Sequence, residues 1–136
     1  MITLTKDMEI GVAEIDAQHK ELVDRINAIT SMGLKSVSKE ETQKTLDLLG
    51  WYVVQHFGDE EVLQKKCNYP KYEMHKEIHH NFIVDFTKLK EEFAKNGPSV
   101  QFTVELNNRI VKWIVSHIKN VDVEFGKFYT SQKSRK

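Results

Sequence analysis

Leu46-Asp47-Leu48-Leu49-Gly50-Trp51-Tyr52-Val53-Val54-Gln55-His56-Phe57-Gly58-Asp59-Glu60-Glu61-Val62-Leu63 is the stretch from which the rest of the chain can be read. Leu46, Leu49 and Val53 recur in steps of three and four, the period of one face of a helix rather than the alternation of a strand. His56, Glu60 and Leu63 continue the same stripe. A histidine and an acid therefore occupy slots that the pattern otherwise fills with Leu or Val. Burying an unpaired carboxylate is costly, so the pair calls for a partner that supplies positive charge.

Working outward, the same anomaly recurs on three more stripes. Ser38-Lys39-Glu40-Glu41 fits a capping box and opens the helix just read, expected over residues 38–66. Before it, a helix over about 14–32 carries His19, Leu22, Val23, Ile26 and Ile29, with Asp16 as N-cap and Gly33 as stop. After it, Pro70 suits the first turn of a helix over about 70–95, where its missing N–H costs nothing. That helix carries His75, His79, Phe82, Phe86, Leu89 and Phe93, and Asn96-Gly97-Pro98 closes it. A fourth, over about 99–119, carries Leu106, Ile110, Trp113, Ile114 and His117. A C-terminal segment over about 121–131 follows, with Val121, Phe125 and Phe128 as its apolar side. The connections are brief, so the expected fold is all-α: an antiparallel up-down-up-down four-helix bundle, with an N-terminal arm over about 1–13 and a short C-terminal helix. No repeat or low-complexity stretch divides the chain, and 1–136 reads as a single domain.

The composition excludes several classes of partner. Lys+Arg and Asp+Glu are equal at 20 each, so no net field draws the chain to nucleic acid. Lys133-Ser134-Arg135-Lys136 reads as a solvated tail. No apolar run approaches the roughly 20 residues of a membrane span, and no signal-peptide core opens the chain, which makes the cytoplasm the default location. Cys67 is the only cysteine, so no thiolate cluster is available and any metal must be held by nitrogen and oxygen. That leaves iron, manganese, zinc, copper or nickel.

The candidate ligands are His19, His56, Glu60, His75, His79, His117 and Asp122. In an up-down-up-down bundle, early residues of one helix lie level with late residues of the next. His19 and His75/His79 are early, and His56/Glu60 and His117 are late, so all four sets converge at one end. Seven imidazole and carboxylate donors exceed what one ion needs and suit two adjacent ions sharing the carboxylates. Structural zinc sites usually close four positions on one ion, often with thiolate, and fit poorly. Asp122 is out of step: five residues past His117 is about 140° around an α-helix. A break near Asn120-Val121 is therefore expected, with Asp122 swinging in from a turn. His80 lies about 100° from His79, off the ligand stripe, and Met74 is not needed as a ligand. Phe82, Phe86 and Phe93 read as core, and Lys88-Leu89-Lys90-Glu91-Glu92 as a solvated face.

His19, His56-x-x-x-Glu60, His75-x-x-x-His79 and His117-x-x-x-x-Asp122 together resemble the ligand signature of the hemerythrins, non-haem di-iron oxygen-binding proteins. The flanking Ile15-Asp16-Ala17-Gln18-His19-Lys20 and His117-Ile118-Lys119-Asn120-Val121-Asp122 resemble the bacterial branch. The resemblance implies two iron ions, one held by His75, His79 and His117, the other by His19 and His56 with one position open. Glu60 and Asp122 would bridge them, beside an oxo or hydroxo group. Oxygen would bind reversibly at the open iron, as hydroperoxide, for storage, delivery to an oxygen-consuming enzyme, or scavenging. The chain would then be a binding protein and not an enzyme, a monomer or weak homo-oligomer. Leu22, Val23, Trp113 and Ile114 would line an apolar oxygen pocket that offers no acid to a bound peroxide. Two other classes compete: a di-iron oxidase or peroxidase, and an oxygen sensor acting through a partner protein. Ferritin-like oxygen activators use Glu-x-x-His motifs, whereas Glu60 has Leu63 three residues on. Bacterial members usually carry tryptophan about where this chain has Leu4, so residues 1–12 are expected to be less firmly anchored.

Overall fold

Each of the four stripes becomes a helix in the computed structural model, which describes residues 2–32 and 38–134. These are α1 (Ala13–Met32), α2 (Lys39–Lys66), α3 (Tyr72–Asn96) and a fourth helical run over residues 100–134. A 3-10 turn, Lys6–Met8, sits in the N-terminal arm, and no strand occurs among the described residues. The architecture is the expected four-helix bundle. The Lys39 ammonium at the start of α2 reaches the Ala94 carbonyl near the end of α3 (2.7 Å), and Arg109 on the fourth helix clamps Asp85 on α3 (2.6 Å).

Helix ends follow local chemistry. The Ser38 hydroxyl accepts the Glu41 N–H (3.1 Å) and the Ser99 hydroxyl that of Phe102 (3.0 Å), each satisfying a donor left free in the first turn. Beyond α2, Asn68 adopts a left-handed φ of 58°. The Asn68 and Tyr69 N–H groups then return to the Lys65 and Gln64 carbonyls, a Schellman closure. Pro70 lies in the turn that follows, in which the Tyr72 N–H bonds the Tyr69 carbonyl, so α3 starts two residues later than expected. Gly97 ends α3 at φ 74°, a conformation that costs a side-chain-bearing residue.

Two expectations at helix starts and breaks fail. Asp16 is not the N-cap of α1, because the helix begins at Ala13. Its carboxylate instead accepts the N–H groups of Ile10 (2.9 Å) and Gly11 (3.1 Å), tying the arm to α1. The fourth helix does not break near Asn120-Val121. It runs on through a π-helical turn, His117–Asp122, into Val123–Ser134, so the C-terminal segment is its continuation and not a separate helix. A second π turn, Asn107–Val111, lies earlier in the same helix. The expected stop at Gly33 and the end of the basic tail lie outside the described residues.

Two apolar clusters form the interior. The larger takes Leu22, Ile26 and Ile29 from α1, Leu46 to Phe57 from α2, Phe82 to Phe93 from α3, and Phe102 to Ile118 from the fourth helix. Burial of each such side chain stabilises the fold by about 1.5–3 kcal/mol. The smaller takes Ile10, Val12, Ile15, Tyr69 and Phe125, with Leu63 and Phe128 packed on it. Along α1, α2 and the fourth helix, most candidate ligands fall between the two clusters. The arm seals this end. Ile2 exchanges two backbone hydrogen bonds with the Asn27 amide (2.9 and 2.8 Å), Leu4 packs on the larger cluster, and Met8 and Ile10 are buried. A Cβ at Gly126 would stand 2.1 Å from the Ile10 carbonyl oxygen, so only glycine lets the arm lie this close. The arm is thus anchored without a tryptophan at position 4.

Candidate metal centre

All seven predicted residues meet at one place, each no more than 5% exposed in a protein interior where such groups are rare. The π turn explains how Asp122 joins them. Closing a turn with one extra residue brings the fifth residue round to where the fourth would lie in an α-helix, so His117 and Asp122 face the same way. Their oxygens and nitrogens then sort into two groups. Glu60, His75, His79, His117 and Asp122 offer donor atoms within 4.8 Å of one another, and so do His19, His56, Glu60 and Asp122.

The carboxylates divide their oxygens between the groups. Asp122 Oδ1 lies 3.0 Å from both His75 Nε2 and His117 Nε2, whereas Oδ2 lies 3.0 Å from His19 Nε2. Glu60 Oε1 lies 2.9 Å from His75 Nε2 and 3.4 Å from His79 Nε2, whereas Oε2 faces His19 at 4.0 Å. These contacts do not satisfy the atoms. Both oxygens of Glu60 and of Asp122, and both nitrogens of His19, are buried without a hydrogen-bond partner. They converge on shared points rather than on each other. His75 Nε2 and His79 Nε2 stand 3.2 and 3.1 Å from His117 Nε2. Donors at right angles around one ion, each at about 2.1 Å, lie about 3.0 Å apart. The residues fit metal ions, and with no sulfur among them they fit ions that take nitrogen and oxygen.

Without metal, the site is electrostatically divided. Burial opposes charge on His75, but the Asp122 and Glu60 carboxylates beside it outweigh burial and raise its pKa to about 9. On His56 burial wins and lowers the pKa to about 4. His117 is likewise lowered by burial. Burial works to raise Asp122, yet the surrounding His117, His19 and His75 hold it well below the ordinary carboxylate range.

Behind the imidazoles stand residues to which the sequence reading gave no supporting role. Gln18 Oε1 lies 2.8 Å from His56 Nδ1, and Glu61 Oε2 lies 2.8 Å from His79 Nδ1. Each can accept the Nδ1–H, which leaves Nε2 as the inward lone pair. The Gln64 amide lies 2.8 Å from His75 Nδ1 with its own oxygen unpartnered, so turning that amide over lets the oxygen accept the Nδ1–H. Phe57 stacks on His79 at 3.8 Å and 1°, and Trp113 on His117 at 4.5 Å and 10°. Phe57 was legible in principle, since it falls four residues after Val53 and three before Glu60. Gln18 and Glu61 carried no signal of their own.

Of the residues expected to line an oxygen pocket, Leu22, Val23 and Ile114 are buried and Trp113 is partly buried. A cavity of about 460 Å³ reaches His19, but Leu4, Thr5, Lys6, Met8, Glu9, Asp16 and Lys20 complete its lining and none of the four does. It is a cleft between the arm and α1. His80 is exposed on the outer face of α3, as is Glu77. Glu77-x-x-His80 is a Glu-x-x-His string in this sequence, yet both residues point away from the site. No helix among the described residues is long and apolar enough to cross a membrane.

Residues 10–128 match the model of the hemerythrin HHE cation binding domain family. The chain is 27% identical over 120 residues to a bacteriohemerythrin of Stenotrophomonas maltophilia, spanning 88% of this chain and 76% of that one. It is 33% identical over 116 residues to a hemerythrin-like protein of Naegleria gruberi, spanning 85% and 83%. A crystal structure of wild-type hemerythrin superposes with a TM-score of 0.82 at 28% identity, covering 93% of this chain and 96% of that one.

Proposed function

Because the chain belongs to the hemerythrin family, whose members bind iron, we propose that it binds molecular oxygen reversibly at a pair of iron ions. One observation carries this reading: Glu60 and Asp122 each turn one oxygen toward a three-imidazole group and the other toward the His19 side. His75, His79 and His117 would hold one ion, His19 and His56 the other, and the two carboxylates both. The unequal number of imidazoles would leave the second ion a position for a ligand. Iron supplies electrons that can be lent to oxygen and recovered.

The chain's own residues prepare that exchange. Gln18 and Glu61 hold His56 and His79 in the tautomer whose Nε2 faces inward. Phe57 and Trp113 lie flat against imidazole faces and keep water from the three-imidazole side. Ile15 and Phe125 close the other end. A cleft between the arm and α1 reaches His19 on the two-imidazole side.

An oxidase or peroxidase reading has one observation in its favour, since Lys6, Glu9 and Lys20 put ionisable groups on the wall of that cleft. Oxygen titration of the anaerobically reduced, iron-loaded protein separates the two. Reversible binding gives one oxygen per two irons and a visible charge-transfer band that vanishes on purging. Sustained oxygen consumption with an added electron donor, and no stable oxygenated form, overturns it in favour of the enzyme. One metal per chain, or zinc alone, overturns the di-iron reading itself.

A further inference from the structure

The five imidazoles do not have equivalent support. His19 and His117 have no partner at Nδ1, and His56 and His75 face the neutral amides of Gln18 and Gln64. Among the five, only His79 faces a carboxylate at Nδ1, Glu61 Oε2 at 2.8 Å, and its ring is pressed against Phe57. Glu61 is 20% exposed while His79 is 1% exposed, so the charge sits at the rim and its partner in the interior. A carboxylate that accepts an imidazole N–H fixes the ring and raises the donor strength of the opposite nitrogen. A neutral amide in the same place fixes the ring with much less effect on its electronics, because hydrogen bonds to an ionised acceptor are the stronger.

Building on the di-iron reading, we infer that Glu61 is a positioning residue that biases the pair electronically: through His79 it makes the three-imidazole ion the more readily oxidised of the two. The position open to a ligand and the first electron to leave would then lie on different ions. The role is one of charge and not merely of geometry, which a single substitution can separate. In Glu61→Gln the amide oxygen can still accept the Nδ1–H, so the ring stays fixed and only the charge is lost.

The test is an anaerobic redox titration of the iron-loaded protein. Glu61→Gln is expected to keep two irons per chain while its first oxidation becomes about tenfold less favourable, a rise of about 59 mV for one electron. Glu61→Ala, which loses the acceptor as well, should also bind iron about 10–100-fold more weakly. A fully loaded Glu61→Gln protein with the wild-type potential overturns this inference alone. Should that variant fail to load, Gln18→Glu combined with Asp59→Asn places a carboxylate behind His56 instead, the second change removing the carboxylate that the Gln18 amide meets at 2.9 Å. It is expected to lower the potential of the two-imidazole ion by a similar amount, and no change there also overturns the inference. Wild-type protein holding fewer than two irons overturns the underlying di-iron reading and this inference with it.

Discussion

The two halves of the candidate centre share both carboxylates, yet they differ in what stands behind the imidazoles. On the three-imidazole side, His79 is held between Glu61 and Phe57, His117 lies against Trp113, and His75 meets Gln64 in the interior. On the two-imidazole side only His56 has such a support, and His19 borders a cavity walled by the arm. One half is braced by aromatic rings, and the other is covered by the arm. The difference teaches that the site is enclosed in two ways: a loop covers one ligand, while the other half is built from helices packed on aromatic rings.

The largest effect should come from removing what the halves share. Glu60→Ala is expected to lose metal from both sides, beyond the roughly 10–100-fold weakening that follows loss of a group behind a ligand. Metal analysis after dialysis checks this, and retention of one full equivalent would mean that Glu60 serves a single ion. Phe57→Ala strikes the braced half. Truncating a buried phenylalanine costs about 3–5 kcal/mol, readable in urea unfolding of the metal-free protein. Gln18→Leu strikes the arm-covered half, and should weaken one metal equivalent by about 10–100-fold while sparing the other; equal weakening of both would break the division.

The fourth prediction uses the opposite shifts of His75 and His56. In the metal-free fold the pKa of His75 is raised to about 9, so its contribution is full below 6.5 and lost as pH rises through about 9. His56 is lowered to about 4, so its contribution is present above 6.5 and lost as pH falls through about 4. The thermal midpoint of the metal-free protein should therefore peak near pH 6.5 and fall on both sides. A midpoint that only rises or only falls across that interval would contradict the assignment. The smallest effect belongs to His80→Ala: the residue is exposed and outside both groups, so metal content and any oxygenated spectrum should stay unchanged.

Much of the bundle was legible because burial imposes a period on sequence. The stripe Leu46, Leu49, Val53, His56, Glu60, Leu63 is helical and inward whatever surrounds it, and the serine caps at Ser38 and Ser99 act within one turn. The level placement of six candidate ligands, all but Asp122, followed from short connections and helix direction alone. Asp16 and Pro70 were misread for one common reason. Each is a good start signal for a helix, but Asp16 is engaged by the arm, and Asn68 and Tyr69 close α2 in a way that displaces the next helix.

The sequence by itself determined four helices, the inward placement of five histidines and Glu60, and the end of the bundle where they gather. These are consequences of spacing along one chain, and each helix fixes its own face independently of the rest. The tertiary structure decided how Asp122 arrives, which oxygen of each carboxylate faces which group, and which side chains brace the rings. A π turn differs from an α turn by a single displaced hydrogen bond, so local propensity cannot choose it, whereas packing Asp122 among His19, His75 and His117 can. Gln18, Glu61 and Gln64 gain their roles by reaching a histidine on another helix, a distance that spacing along the chain does not encode.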